Sequence, residues 1–439
     1  RPAYNALLPH WPGEVAMERL DLRLQAAFGP GEALSGQFSA LLARARAPNA
    51  PTLRDVELRG EWSPRADGWA LRLDHIGLSS DQGAWPSSSA RLIWQQDDEL
   101  SASRIRADAG FLRLDELAPW LLAAGVWPES APLWELRGEA RGIVLRASLD
   151  PGIQRLDYRA LLDGIALQGE AFSIEGLSGE LSGDYAGGQL RISPGALTVE
   201  TPGALNVPLV FSEVEGSVRW AREAEGWKLK SDAFAWSMEG ISGEGELSLA
   251  LRAGAAPHID MNMRFAGEDV EIAKDYMPRA WTGPLRAWLN RAIEAGRVPE
   301  ASLTLRGDLS AFPWDDEADD GLFALDIRAV GGRLTFAPAW PAITDVAADL
   351  RFRGNSLRIE VESGRVAGGR IRRGVAEIPR YADAMLKVDA EVNGNLEGYY
   401  RYLSASPLAQ PLRALLQATA ASGPAPLALQ LDIPLNELS

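Results

Sequence analysis

The sequence predicts a mainly β protein: an elongated, repetitive antiparallel β-sheet curled into a gutter with an apolar inner groove, plus a few short amphipathic helices. Three observations predict it. Apolar and charged residues alternate along most of the chain, the alternation returns in related blocks, and helical patterns are too few to cover the apolar face that results.

The alternation is plainest in SLRIEVESGRVAGGRI (356–371), where Leu357, Ile359 and Val361 alternate with Arg358, Glu360 and Glu362 before an expected turn at Gly364. Such a strand has one apolar and one charged face, because successive side chains point to opposite sides of a sheet. Four blocks share one plan, beginning at Asp55, Gly176, Glu213 and Asp345. Each reads as an alternating strand, a Gly-containing turn, a second strand, then a short third strand. The second strands carry Leu71 and Leu73; Leu190 and Ile192; Trp227 and Leu229; and Leu357, Ile359 and Val361. Their neighbours Arg72, Arg191, Lys228 and Arg358 are cationic. Strands joined by Gly turns form antiparallel meanders, and recurrence implies a sheet that grows by repetition.

The helices are alike. In GPLRAWLNRAIEAGR, Leu285, Trp288, Leu289, Ala292 and Ile293 recur at helical spacing, Pro284 suits the first turn and Gly296 the stop. LDELAPWLLAAG repeats the stripe with Leu117, Trp120, Leu121 and Ala124, ending at Gly125. A third version carries Leu412, Leu415, Leu416 and Ala420, and YNALLPHWPGEVAMERLDLRL near the start reads as a shorter one. These place helix-containing modules near residues 1–50, 110–140, 270–310 and 396–439. Such helices are expected as plugs, caps or gates on the sheet, through Trp120, Leu121, Trp288, Leu289, Leu415 and Leu416.

Composition excludes several classes. A net charge of −16 without a basic stripe argues against nucleic acid and against electrostatic docking on anionic lipid. The absence of cysteine rules out disulfides and thiol chemistry. No run of about 18 apolar residues is present, so no transmembrane helix is expected in this stretch. Position 1 is Arg, and the chain closes just past LALQLDIPL, so residues 1–439 are read as one continuous β-groove fragment of a longer chain. His10, His75 and His258 are scattered, and no Walker loop or nucleophile elbow occurs. WDDEADDG (314–321) alternates acids as Ca²⁺ ligands do but lacks the downstream bidentate Glu, so it reads as a solvated loop. GRIRRG (369–374) reads as a solvated strand face. Trp69 and Trp227 hold the same place in their repeats and read as structural anchors. The expectation is therefore no catalytic residue, no metal and no cofactor: the protein is not an enzyme.

A sheet with one apolar face must bury it. A sandwich uses a second sheet, a barrel closes, and an open gutter covers the face with apolar cargo. Roughly 30 short strands spaced ~4.8 Å apart would extend on the order of 140 Å, a shape that suits a conduit better than a compact core. The expected groove lining is the repeat set above with Leu197, Val199, Leu247 and Leu249, then Leu303, Leu305, Leu325 and Ile327, and finally Val388 and Val392. The alternatives are a string of β-sandwich domains acting as a scaffold or adhesin, with RAPNAPTL (46–53) and SGPAPLA (422–428) as linkers, and a carbohydrate-active β-helix enzyme.

The stretch MPRAWTGPLRAWLNRAIEAGRVPEASLTLRGDLSAFPW (277–314) resembles the YhdP proteins of the AsmA-like family in Gram-negative envelopes. So do residues 331–368 and LEGYYRYLSASPLAQ (396–410). The resemblance implies a long taco-shaped antiparallel sheet whose apolar groove binds phospholipid acyl chains and carries phospholipid between the inner and outer membranes. It also implies a periplasmic location, an N-terminal inner-membrane helix outside this stretch, and no catalytic residues.

Overall fold

The computed structural model describes residues 16–27, 34–47, 49–97, 102–123, 135–149, 153–169, 172–252, 254–279, 281, 283–312, 314, 320–335, 340–406, 410 and 422–435. The chain divides into two compact units, residues 1–197 with 218–221, and residues 198–217 with 222–439.

The first unit is an antiparallel meander. Its strands are β1 (Ala16–Ala27), β2 (Ser35–Arg46), β3 (Leu53–Arg65), β4 (Gly68–Ser80), the two-residue β5 (Gly83–Ala84), β6 (Ser88–Asp97), β7 (Ala102–Arg113), β8 (Glu135–Leu149), β9 (Ile153–Gln168), β10 (Ser173–Asp184) and most of β11 (Gly187–Glu200). From β1 to β10 each pairs with its sequence neighbour, except that β4 pairs with β6 as well as β5. One helix, α1 (Leu114–Ala123), leaves β7.

In the second unit follow most of β12 (Leu209–Glu223), then β13 (Gly226–Met238), β14 (Ile241–Arg252) and β15 (His258–Gly267). The four-residue α2 (Val270–Ala273) and then α3 (Gly283–Ala292) interrupt the meander before β16 (Ile293–Asp308). β17 (Leu322–Leu334), β18 (Ile343–Arg353), β19 (Ser356–Val366), β20 (Gly369–Ile378), β21 (Met385–Asn395), α4 (Leu396–Ser404) and β22 (Pro424–Pro434) complete it. Strands β13 to β22 pair in chain order, all antiparallel. Within each unit the sheet is open: among the described residues β1 pairs only with β2, and β22 only with β21.

Several expectations are corrected. The strands are fewer and longer than about 30 short ones: the described residues hold 22, of up to 16 residues. The reason is the β-bulge. The second and short third strands of a repeat are one strand in which an extra residue restores the alternation after a parity change. In β4, Gly60 faces Leu73 and Arg59 faces His75, leaving Asp74 over; in β13, Ser231 faces Leu247 and Phe234 faces Gly245. β19 shifts register at the matching place, between Val361 and Ser363, so Asp74, Asp232 and Glu362 are equivalent acids at bulges. Gly364 lies inside β19, and the chain turns later, at Ala367 and Gly368, both at positive φ as a two-residue hairpin turn requires.

The N-terminal stretch expected as a helix is strand β1 from Ala16 onward, with residues 1–15 outside the described set. Its RLDLRLQ core alternates with period two, and β2 supplies the pairing partner. Helix α3 ends at Ala292, and Ile293 opens β16, because the preceding helical turns are already packed and the next residues pair with β17. Gly296 then sits at an irregular stretch of that strand instead of at a helix stop. RAPNAPTL is the β2–β3 connection and the Pro424–Ala428 part of SGPAPLA belongs to β22, so neither is a linker between domains. The third expected helix, with Leu412, Leu415, Leu416 and Ala420, lies outside the described residues.

Candidate functional site

Residues facing each other across an antiparallel ladder share one side of the sheet, so the registers sort every side chain by face. In the first unit one row reads Gly36–Trp62–Leu71–Leu92–Ala107–Leu145–Tyr158. The next reads Leu24–Phe38–Gly60–Leu73–Ala90–Ala109–Ile143. On the other side Glu61, Arg72, Arg91 and Asp108 form a charged row, with Arg72 ion-paired to Asp74 at 2.8 Å. Cover of this face is uneven: Phe111 and Ala160 are buried, while the rows over β3, β4 and β6 are half covered. Leu71, Leu73 and Leu92 are half-buried, Leu24 is 63% exposed and Trp69, stacked on Trp94 at 6.4 Å, is 41% exposed.

The second unit carries the same chemistry. One row runs Phe234–Gly245–Met263–Leu303–Leu325–Phe352–Leu357–Ile378, and a second Trp236–Gly243–Phe265–Ala301–Ile327–Leu350–Ile359–Ala376–Val388–Leu431. Leu229 and Leu249 face each other, as do Leu247 and Ser231, and Leu305 faces Phe323. Val361 faces Gly374, and Val392 faces Ile371 and Leu427. The reverse side holds Asp326–Arg351–Arg358–Glu377–Lys387–Asp432, with a bidentate Arg328–Glu362 pair and with Arg353 Nη2 donating to both carboxylate oxygens of Asp326. Arg370, Arg372 and Arg373 of GRIRRG are exposed.

The two faces differ in cover. Over β16–β22 lies α3: Leu285 (1% exposed), Trp288 (6%), Leu289 (2%) and Ala292 join Phe323, Phe352, Leu357, Ile378 and Leu386 in a contiguous buried cluster. Leu303, Leu305, Leu325, Ile327, Ile359 and Val388 pack against that cluster from the sheet. Trp281, just before the helix, stacks flat on Phe352 with ring centroids 4.9 Å apart. The helix forms where expected because four apolar side chains recur on one stripe.

The whole chain matches one protein family: residues 2–439 fit the family described as "YhdP protein". The chain belongs to the YhdP family. A relative in that family, the "Intermembrane phospholipid transporter YhdP" of Escherichia coli (strain K12), is 25% identical over 384 residues. That stretch covers 84% of this chain and 30% of the relative, so the YhdP-family chain described here spans well under half of the relative's length. No solved structure matches it.

Other residues of this YhdP-family chain fall as follows. Leu190, Ile192, Leu197 and Val199 lie along β11. Trp227 is exposed in β13. Trp120 of α1 is half-buried and donates its indole N–H to the Pro51 carbonyl at 3.1 Å; the Leu121 side chain lies outside the described residues, as do Leu415 and Leu416. Of WDDEADDG, residues 315–319 are not described, while Trp314 is buried and donates to the Asp308 carbonyl at 2.8 Å. His75 shares a hydrogen bond with Ser87 at 3.1 Å and His258 one with Asp308 at 2.8 Å, both at the surface; His10 is outside the described set. Among the described residues no three His, Asp or Glu side chains cluster as metal ligands, and no helix is long and apolar enough to cross a membrane.

Sequence reasoning missed three things. Leu24, Phe38 and Trp62 extend the apolar face; for Leu24 the signal was the RLDLRLQ alternation, masked by a helical reading. Trp281 lies upstream of the helical stripe and carried no periodic signal. The third is Glu116, 1% exposed and the most buried of the described side chains of α1. It accepts hydrogen bonds from Ser80, from the Trp85 indole at 2.5 Å and from Arg113 at 3.2 Å, which ties α1 to the β4–β7 strands. Arg113 and Glu116 stand at i and i+3, the one local hint that a helix there would carry an ion pair.

Proposed function

We propose that this chain is part of a phospholipid conduit, binding acyl chains along its apolar sheet face and passing phospholipid between the inner and outer membranes in the periplasm of a Gram-negative cell. The observation that carries the reading is the first unit's apolar face. Rows of Leu, Trp, Ile and Ala run across β2–β9 with no second sheet over them among the described residues. A contiguous exposed apolar surface of that kind marks a binding surface. Membership of the YhdP family, whose E. coli relative is named an intermembrane phospholipid transporter, supplies the cargo.

The physics favours such a surface. Taking a two-chain lipid through water exposes on the order of 30 methylenes at ~0.8 kcal/mol each, a barrier of roughly 20 kcal/mol. A lining of Leu71, Leu73, Leu92 and Ile105 replaces that water and offers few hydrogen bonds that would hold the lipid, while the headgroup stays in solvent. The chain's own residues supply no nucleotide-binding loop, so direction comes from lipid gradients or from partners. A sandwich scaffold would need a second sheet over the rows.

The test places a photo-reactive aliphatic residue at Leu73 and, separately, at Arg72, in cells carrying labelled phospholipid. Lipid adducts at position 73 and none at 72 are expected. Adducts at neither, or equally at both, would sink the reading.

A further inference from the structure

The rows on the face of β16–β22 are of the same chemistry as the uncovered rows of the first unit, yet this chain's own helix lies on them. Phe352 stacks against Trp281, and Leu357 lies in the same buried cluster as the α3 stripe, in places where the conduit reading would put an acyl chain. A ten-residue helix is too short to be stable alone, so α3 depends on whatever apolar surface it lies against.

How α3 is held matters more. Inside the face Leu285, Leu289 and Ala292 make apolar contacts. Two polar grips hold the helix locally, Lys274 Nζ to the Asn290 carbonyl at 3.2 Å and the Thr335 N–H to the Ala292 carbonyl at 2.8 Å. Others reach sideways to the 201–206 loop, where the Arg279 N–H donates to the Ala204 carbonyl at 2.8 Å, the Arg279 guanidinium to the Pro202 carbonyl and, with the Asn206 amide turned so that its oxygen faces it, the Arg286 guanidinium to that oxygen at 2.8 Å. Among the described residues neither arginine has a carboxylate in ion-pair reach, although arginines elsewhere on this unit's sheet are ion-paired. Neutral partners make weaker, more exchangeable contacts than carboxylates. At its far end α3 passes straight into β16, whose first eight residues change register with β17 three times, with Gly296 at φ 154° among them. That stretch is a ready pivot, because its ladder is already broken.

We propose that α3, with Trp281, is a displaceable stopper lying in an acyl-chain site. An acyl chain enters between the helix and β16–β22 and takes over the contacts to Phe352, Leu357 and Ile359, while the helix pivots about residues 293–297 and keeps its own apolar stripe against the lipid. The site takes a saturated or unsaturated hydrocarbon chain, and the stopper sets when lipid passes. This deepens the conduit reading and rests on it.

The absence of cysteine makes the test clean. Asn206→Cys and Arg286→Cys, joined by a short bismaleimide, pin α3 to the 201–206 loop; the same double variant capped with a monofunctional maleimide is the control. A photo-reactive aliphatic residue sits at Ile359, or at Leu73 as reference, and the full chain is illuminated with vesicles containing radiolabelled phosphatidylethanolamine. Lipid adducts are expected at both positions in the capped protein, with loss at Ile359 and retention at Leu73 once the bridge is closed. Equal labelling of Ile359 in bridged and capped protein would show that α3 blocks nothing. Labelling at Leu73 alone in both states would make the cluster under α3 a permanent core and overturn the stopper while leaving the conduit standing. No adduct at either position overturns both.

Discussion

Truncating one leucine in each unit separates a binding surface from a protein core. Leu73 in β4 stands between Gly60 and Ala90, the smallest side chains available, and is half-buried. Leu73→Ala therefore removes part of one side chain's burial and leaves no enclosed cavity. Full burial of a leucine contributes ~1.5–3 kcal/mol, so a partly exposed one should cost about 1 kcal/mol. Leu357 in β19 is 2% exposed, flanked by Phe352 and Ile378, and roofed by the α3 cluster. Its loss leaves a void that large, stacked neighbours cannot fill, and transfer plus cavity terms put Leu357→Ala at about 3–4 kcal/mol. Because two units need not unfold together, the assay is hydrogen exchange by mass spectrometry in rising urea, reading peptides of β4 and β19 separately. At an m-value of ~3 kcal/mol/M the opening midpoint should fall by about 1 M urea for β19 and about 0.3 M for β4. A loss at β4 equal to that at β19 would mean that Leu73 sits in a closed core, and the uncovered face would be refuted.

Three further outcomes follow from the same geometry. Glu116→Ala leaves Arg113 beside the pocket without its buried partner and should loosen α1 by about 3–5 kcal/mol, seen as new protease cleavage within 114–123, with Glu116→Gln milder. Gly398→Ala drives a Cβ into the Ala367 carbonyl at the β19–β20 turn, so α4 should undock and its amides exchange faster, while β13–β15 are unchanged. The carboxyls of Glu360, Glu294 and Glu57 are held below the usual range, Glu360 chiefly by its Arg358 hydrogen bond, Glu294 by Thr335 and then Arg333, Glu57 by Arg59. Groups depressed in the folded state contribute stability above their unfolded pKa of ~4.3 and lose it as pH falls through the folded value. The thermal midpoint should thus be flat from neutral pH to about 5 and decline below about 4, less steeply in Glu360→Gln; a decline beginning near pH 6 would contradict this.

How much of the candidate site was legible depends on whether its signal was local. Leu357, Ile359 and Val361 announce their shared face by alternation with charged residues, and so do Leu71 and Leu73. Glu116 announced only its i, i+3 spacing from Arg113: an acid in a first helical turn is ordinarily solvated, and it is the approach of Ser80, at the end of β4, and of Trp85, just past β5, that makes it the buried anchor of α1. β1 was misread because the residues before it carried a helical reading into RLDLRLQ, whose own alternation has period two and which β2 pairs with as a strand.

The sequence by itself determined the antiparallel strands, their Gly turns and the apolar face opposite a charged one, since side-chain direction along a strand has period two and turn conformation is set by neighbouring residues. It also determined the stripe of α3. Tertiary structure alone decided that bulges at Asp74, in the Asp232–Ala233 pair and at Glu362 fuse paired short strands into long ones, because a bulge exists only against a partner's register. It decided likewise that Trp281 and α3 cover Phe352 and Leu357 while Leu24 and Trp69 stay in solvent. Burial is a property of what lies across the face, and residues distant in the chain supply it.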